Sequence, residues 1–278
     1  MIRSARSRTL QLAVGGTAVL LAVSACSSSS SDKSSSSPST SASSASSASS
    51  ASKISGTVTV FAAASLKEGF TALGKEFEAA HPGTNVTFNF GGSDVLAASI
   101  TSGAPADVFA AASPKTMKTV TDAKDATGTP VTFARNQLEI ATPPGNPKKI
   151  ASLKDLTKSG LKVALCAKTV PCGAAAQNAL TASNLKLTPV SYEADVKSAL
   201  TKVELKEVDA SVVYKTDVKA AGGKVDGVEF PESAKVINNY PIVLLKDAPD
   251  ATAAKAFIAL VESAEGTKVL TTAGFLNP

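Results

Sequence analysis

Residues 27–52 are nearly all Ser and Ala, broken by one Pro and a single Asp-Lys pair. So little apolar surface cannot offset the entropy of ordering the chain, and the stretch predicts a disordered tether. Its root-mean-square reach as a flexible coil is about 28 Å. A folded body must therefore be built from the residues that follow Lys53, about 225 of them. That length suits one large domain or two lobes.

Ahead of the tether, Arg3, Arg6 and Arg8 precede an apolar run from about Leu10 to Val23. The run closes on the small residues Val23-Ser24-Ala25 and then Cys26. This predicts a secretory signal over residues 1–25, too short and too asymmetrically flanked for a spanning helix. A cysteine after two small residues resembles a bacterial lipobox. The resemblance implies cleavage before Cys26 and a diacylglycerol on its thiol, with residues 26–53 as lipidated tether. Several acyl chains hold a membrane stably where one is marginal. The expected location is extracytoplasmic, anchored by lipid to the cell membrane; ordinary secretion with an incidental cysteine is the alternative.

Charge narrows the functional classes. Removing the three leader arginines from 28 Lys and Arg leaves 25 against 23 Asp and Glu, a net charge near +2. Arg135 is then the only arginine. A dedicated nucleic-acid surface would cluster Arg and Lys, so no nucleic-acid partner is expected. If Cys26 carries lipid, Cys166 and Cys172 remain in a compartment that permits a disulfide. Two free thiols or half a metal site are the alternatives; the spacing is wrong for a zinc knuckle and no histidine is near.

Hydrophobic periodicity places the elements. Thr57–Ala62 reads as a strand and Ser65–Ala80 as a helix with the stripe Leu66, Phe70, Leu73 and Phe77. Ser65 with Glu68 fits a capping box, and His81-Pro82-Gly83 stops the helix. Val86–Phe90 is a strand, Gly91-Gly92-Ser93 opens a helix to about Ser102, and Ala106–Ala111 is a buried strand. In the second half Gln137–Ala141, Leu161–Leu165, Ala210–Tyr214 and Tyr240–Leu245 read as strands. Helices are expected at Gly173–Ser183 behind Pro171, at Asp195–Lys202, and from about Ala251 to Thr272. Strands alternating with helices predict an α/β fold of two lobes, each a mostly parallel sheet flanked by helices.

Enzyme readings fare badly. The one histidine, His81, sits in a helix-stopping turn, so a Ser-His-Asp or Cys-His arrangement would need that residue. Ser183–Lys186 and Ser50–Lys53 match S-x-x-K, but one lies late in a helix and the other in the tether, and no K-T-G follows. What recurs is a small or polar residue at a strand-to-helix turn: Ser65, Ser93, Cys172 and Val196. Helix N-termini carry unpaired N–H donors and the positive end of the macrodipole, which makes them anion sites when several converge. Taken singly, each turn is an ordinary helix cap.

The chain resembles the extracytoplasmic molybdate-binding proteins of ABC importers. The resemblance rests on Val58–Leu66 (VTVFAAASL), Gly103–Ser113 (GAPADVFAAAS), Val170–Gly173 (VPCG), Ala194–Leu200 (ADVKSAL), Ala210–Asp217 (ASVVYKTD) and Asn239–Leu245 (NYPIVLL). It implies a two-lobed type II periplasmic-binding fold, with residues 54–134 in lobe I, 135–235 in lobe II, and 236–278 returning to lobe I. It implies that molybdate, or tungstate, is held through its oxygens by the hydroxyls of Ser65 and Ser93, the amides of Cys172 and Val196, and the phenol of Tyr214. For Tyr214 the alternative is a strand-end tyrosine packed in the core. The implied partners are an ABC permease and its ATPase, with no cofactor, no catalysis and a monomeric state.

The physics fits those roles. Molybdate is fully deprotonated at neutral pH and only accepts hydrogen bonds, so a cleft of O–H and N–H donors satisfies it and rejects a ligand that needs an acceptor. Sulfate or phosphate is the alternative ligand; a serine hydrolase using an S-x-x-K pair is the alternative class. Three residues depart from the family pattern. Asp94 follows Ser93 and is expected to cap its helix and point away. Cys172 replaces an alanine, a swap that a backbone donor tolerates. Lys197 replaces an arginine and is expected either on a solvated face or bridging the lobes.

Overall fold

The computed structural model describes residues 54–278. The predicted leader, Cys26, the tether and the Ser50–Lys53 pair lie outside the described residues. Among the described residues no helix is long and apolar enough to cross a membrane.

Along the chain come β1 (Gly56–Ala63), α1 (Lys67–Ala80), β2 (Thr84–Gly91), α2 (Ser93–Thr101), β3 (Val108–Ala110), α3 (Pro114–Asp122) and β4 (Ala126–Asn136). Next are β5 (Leu138–Thr142), β6 (Val163–Cys166), α4 (Pro171–Ala182), β7 (Ser191–Glu193), α5 (Val196–Glu204), β8 (Ala210–Tyr214), α6 (Lys215–Ala220) and β9 (Asp226–Val228). The chain closes with β10 (Asn238–Leu245), α7 (Ala251–Glu262) and α8 (Ala264–Thr272).

Two five-stranded sheets form, in the orders β2-β1-β3-β10-β4 and β7-β6-β8-β5-β9. The chain passes from the first to the second between Asn136 and Leu138, and returns between β9 and β10. The sheets are mixed rather than mostly parallel. β1 pairs in parallel with β2 and β3, and β6 with β7 and β8. Apart from the single bridge of Arg135 with Leu276, the antiparallel pairings among the described residues involve β10 or β5, the strands that follow a crossing between sheets. A strand entering from the other lobe lacks the helical crossover that enforces parallel pairing.

Packing follows the periodicities. Val58, Val60 and Ala62 of β1 face one core cluster while Phe61 faces another on the opposite side of the sheet. Leu66, Phe70, Leu73 and Phe77 are buried, and Phe70 and Phe77 meet Phe257 of α7 edge-on at 6.0 and 5.6 Å. Each such ring contributes about 1.5–3 kcal/mol by burial. Pro241 lies in β10, an internal strand, where its missing N–H coincides with a register shift against β4.

Several expectations are corrected. Ser65 sits inside a 3-10 turn, Ala64–Leu66, and makes no cap; its hydroxyl and the Glu68 carboxylate have other partners. The C-terminal helix is broken at Ser263, whose hydroxyl accepts from the Gly266 N–H and caps α8. A Cβ at Gly266 would collide with the Leu260 carbonyl, so the tight turn needs glycine. α3 and β4 were not anticipated. β4 is exposed along most of its first seven residues and shows no clean alternation.

Candidate functional site

The β1–β2 register pairs Ala63 with Gly91, so both strands end level. Two residues beyond each end stand Ser65 and Ser93, which therefore emerge side by side. In the second sheet Cys166 pairs with Glu193, and α5 starts three residues later at Val196. Tyr214 ends β8, next to β6. The carboxyl ends of parallel strands, each leading into a helix, are where open α/β sheets place ligand sites.

These turns meet around one cavity. Ser65, Ser93, Cys172, Val196 and Tyr214 all line it, all at least 97% buried. Its volume is about 10 Å³, where a single buried water needs roughly 10–15 Å³ on the same measure. As the walls stand, that space is about the size of one water, smaller than a sugar or an amino acid. No Lys or Arg lines it.

Four helical starts, at Ala64, Ser93, Pro171 and Val196, line the cavity. The N-caps Ala63, Gly92 and Val170 make no side-chain cap hydrogen bond, so the leading amides are left open. At α5 the cap is Asp195, whose Oδ1 accepts from the Ser198 N–H. Asp195 is the only carboxylate residue lining the cavity, and this bond turns that oxygen toward its own helix. Asp94 makes no cap, contrary to expectation; its Oδ1 is buried without a hydrogen-bond partner, and it does not line the cavity.

The three hydroxyls differ in what holds them. Ser93 Oγ accepts from the Ala112 N–H at 3.0 Å. Ser65 Oγ lies 2.8 Å from the Tyr240 hydroxyl, which also accepts from Asn136 Nδ2 at 3.4 Å. The Tyr214 hydroxyl is buried without a hydrogen-bond partner. Burial, with Tyr240 and Asp217 nearby, pushes the Tyr214 phenol well above its ordinary 10.0, so it stays protonated and remains a donor. An orphaned buried donor costs free energy unless a ligand completes it.

Cys166 and Cys172 sit with their sulfurs at bonding distance, 2.08 Å, and their Cα atoms 5.9 Å apart. The link spans from the end of β6 to the second residue of α4. Gly173 allows this, since a Cβ there would run into the Ala167 carbonyl.

Lys197, one residue past Val196, bridges the lobes. Its Nζ reaches Glu68 Oε2 of α1 at 2.8 Å and Asp217 Oδ1 of α6 at 3.0 Å. Burial pulls the Lys197 pKa down, but the Asp217 and Glu68 carboxylates outweigh it and the net shift is upward. Asp217 is fully buried, and burial raises its carboxyl to about 6 against the lowering pull of Lys197. Its Oδ2 accepts from the Tyr214 N–H at 3.1 Å.

Other candidates fall away from the cavity. His81 caps the end of α1 and packs on Phe77 at 4.6 Å. Ser183 donates to the Ala179 carbonyl at the end of α4. Among the described residues no group of three or more His, Cys, Asp and Glu could hold a metal ion. Sequence reasoning missed Tyr240, Asn136 and Gly92. Tyr240 and Asn136 carry no local signal, being strand residues like many others; Gly92 was read only as part of a turn.

Residues 58–276 match the family model of the bacterial extracellular solute-binding proteins. The molybdate-binding protein ModA of Mycobacterium tuberculosis is 44% identical over 222 residues, covering 80% of this chain and 85% of that protein. The putative ABC transporter substrate-binding lipoprotein YvgL of Bacillus subtilis is 32% identical over 226 residues, covering 79% and 86%. Among solved structures, the substrate binding domain of a putative molybdenum ABC transporter from Clostridium difficile matches with a TM-score of 0.61 and 29% identity, covering 81% of this chain and 100% of that one.

Proposed function

We propose, because the chain belongs to the bacterial extracellular solute-binding protein family, that it captures molybdate outside the cytoplasm and delivers it to an ABC importer. The observation that carries this is the convergence of Ser65, Ser93, Cys172, Val196 and Tyr214 on one cavity that no cationic side chain lines. Ser65, Ser93 and Tyr214 donate O–H groups; Cys172 and Val196 donate backbone N–H groups. The helix starts supply partial positive charge, which suits a divalent oxyanion without a guanidinium or ammonium contact. Tungstate, with the same charge and near-identical shape, is bound by the same donors.

Residues 54–134 and 236–278 form lobe I and 135–235 lobe II, a division that the two sheets support except at Arg135 and Asn136, which end β4 in the first sheet. Hinge closure brings the walls together, and the Glu68–Lys197 contact holds the closed form. Cys26 carries the lipid anchor, residues 27–53 are its tether, and Cys166–Cys172 is oxidised. The partners are the permease and its ATPase, the chain is a monomer, and it performs no catalysis.

A thermal-shift titration of the full chain with molybdate, tungstate, sulfate and phosphate tests the reading. Ligand at a hundred times its Kd stabilises by about 2.7 kcal/mol. A shift with molybdate and tungstate alone is expected. Response only to sulfate or phosphate would keep the family and change the ligand; no response to any would sink the assignment.

A further inference from the structure

The cavity's donor character depends on a hydrogen-bond chain behind it. Asn136 Oδ1 accepts from the Gln137 N–H at 3.0 Å, which fixes the side-chain amide and turns Nδ2 the other way. That nitrogen donates to Thr216 Oγ1 at 2.8 Å and to Tyr240 Oη at 3.4 Å. Tyr240 is completely buried and its hydroxyl touches Ser65 Oγ at 2.8 Å.

Between Tyr240 and Ser65 either oxygen could be the donor, and counting protons decides which. A hydroxyl has one proton. If Ser65 donated, the Tyr240 proton would have only the Tyr214 hydroxyl beside it, which meets no partner at hydrogen-bonding geometry, at the cost of an unmade hydrogen bond. If Tyr240 donates, its proton is placed, and the Ser65 proton is free to turn into the cavity. Ser93 follows the same logic, because its oxygen takes the Ala112 N–H from behind.

We propose that Asn136 and Tyr240 form a relay that holds the Ser65 hydroxyl as a donor toward the bound ligand, making Tyr240 a positioning and specificity-determining residue. The inference rests on the oxyanion reading above. It explains how a hydroxyl, equally able to accept, rejects a ligand that keeps a proton. Hydrogen phosphate must place its P–O–H on an acceptor, and the Tyr240 bond takes one of the two acceptor positions of the Ser65 oxygen while leaving its proton aimed at the ligand.

Isothermal titration of the full chain with sodium molybdate and sodium phosphate tests this through the variants Tyr240→Phe, Ser65→Ala and the pair combined. Tyr240→Phe is expected to weaken molybdate binding about tenfold. In the Ser65→Ala background the same change should cost less than about twofold, since the relay acts only through Ser65. The molybdate-to-phosphate affinity ratio should fall in Tyr240→Phe, because the freed Ser65 oxygen can accept. Asn136→Ala, tested alongside in case Tyr240→Phe folds poorly, should show a smaller loss with the same dependence on Ser65. An equal loss in both backgrounds, or an unchanged affinity ratio, would overturn the relay while leaving wild-type molybdate binding intact. Failure of the wild-type chain to bind molybdate would overturn the ligand assignment and the relay with it.

Discussion

In the proposed site, lobe I would meet the ligand with the hydroxyls of Ser65 and Ser93, whereas lobe II would meet it with the amides of Cys172 and Val196 and the lone phenol of Tyr214, all residues that line the cavity. The serines are held from behind by Tyr240 and by the Ala112 amide. The amides are held only by where β6, α4 and α5 begin and end. Lobe I can therefore be disabled one side chain at a time. The amides of lobe II tolerate side-chain changes and fail only when the backbone moves. The difference shows two ways to place donors without positive charge: polarise a hydroxyl, or aim a helix.

The seam between the walls should give the largest effect. A Cβ on Gly92 would stand 2.6 Å from the Ala194 carbonyl of the other lobe. The φ of Gly92 is −61°, open to any residue, and within lobe I the added methyl meets only the Asp94 Oδ1 end at 2.9 Å, a side chain that can turn, so Gly92→Ala acts chiefly on closure. Molybdate affinity by calorimetry should drop at least about a hundredfold, with the ligand-free melting temperature nearly unchanged. A large loss of ligand-free stability would show that the two walls are not separable.

The asymmetry is tested most directly by Ser93→Ala against Val196→Ala. A hydrogen bond to a charged partner is worth about 1.5–3 kcal/mol, so the serine change should weaken binding by roughly ten- to a hundredfold. The valine change keeps its amide and should cost under about fivefold. Equal losses would break the contrast.

Removing the Cys166–Cys172 link by a double change to Ser should act on stability before affinity. The chain-entropy account gives about 2 kcal/mol for so short a loop, read by urea denaturation. The Cys172 amide survives, so molybdate affinity should fall less than about tenfold. Loss of binding without loss of stability would mean that the link aims α4 rather than stabilising lobe II.

The smallest effect concerns the bridge between the walls. The folded pKa of Asp217, about 6, lies above its ordinary 3.8. The folded state therefore takes up this proton before the unfolded state does. This group opposes folding at pH 7, and the penalty is relieved as pH falls through 6 toward 3.8. Asp217→Asn should be relatively more stable than wild type at pH 7, with the gap narrowing at pH 5. Parallel wild-type and variant stabilities across that range would remove Asp217 from the account. The same protonation loosens Lys197 from Asp217 and leaves its contact with Glu68.

Much of the site was legible because its signals are local. A β-rich run, a small residue and a helical segment follow one another without a gap of more than a few residues at Ser65, and again at Ser93. The α3 start was equally legible and went unread: Ser113 accepts from the Thr116 N–H with Pro114 at the first helical position. The break at Ser263 was harder, since apolar residues continue on both sides and only the serine cap marks it. Tyr240 reads as a strand residue because its partners, Ser65 and Asn136, lie more than a hundred positions away in the chain.

By itself the sequence determined where strands turn into helices and that those turns carry small donors, because such choices depend on residues a few positions apart. Only tertiary structure decided which turns meet, and which hydroxyls lie against each other. Ser65 and Tyr240 are 175 positions apart, and Glu68 and Lys197 are 129 apart. Contacts across such distances arise from sheet register and lobe closure, where the hydrophobic pattern of the whole chain, rather than any segment, sets the geometry.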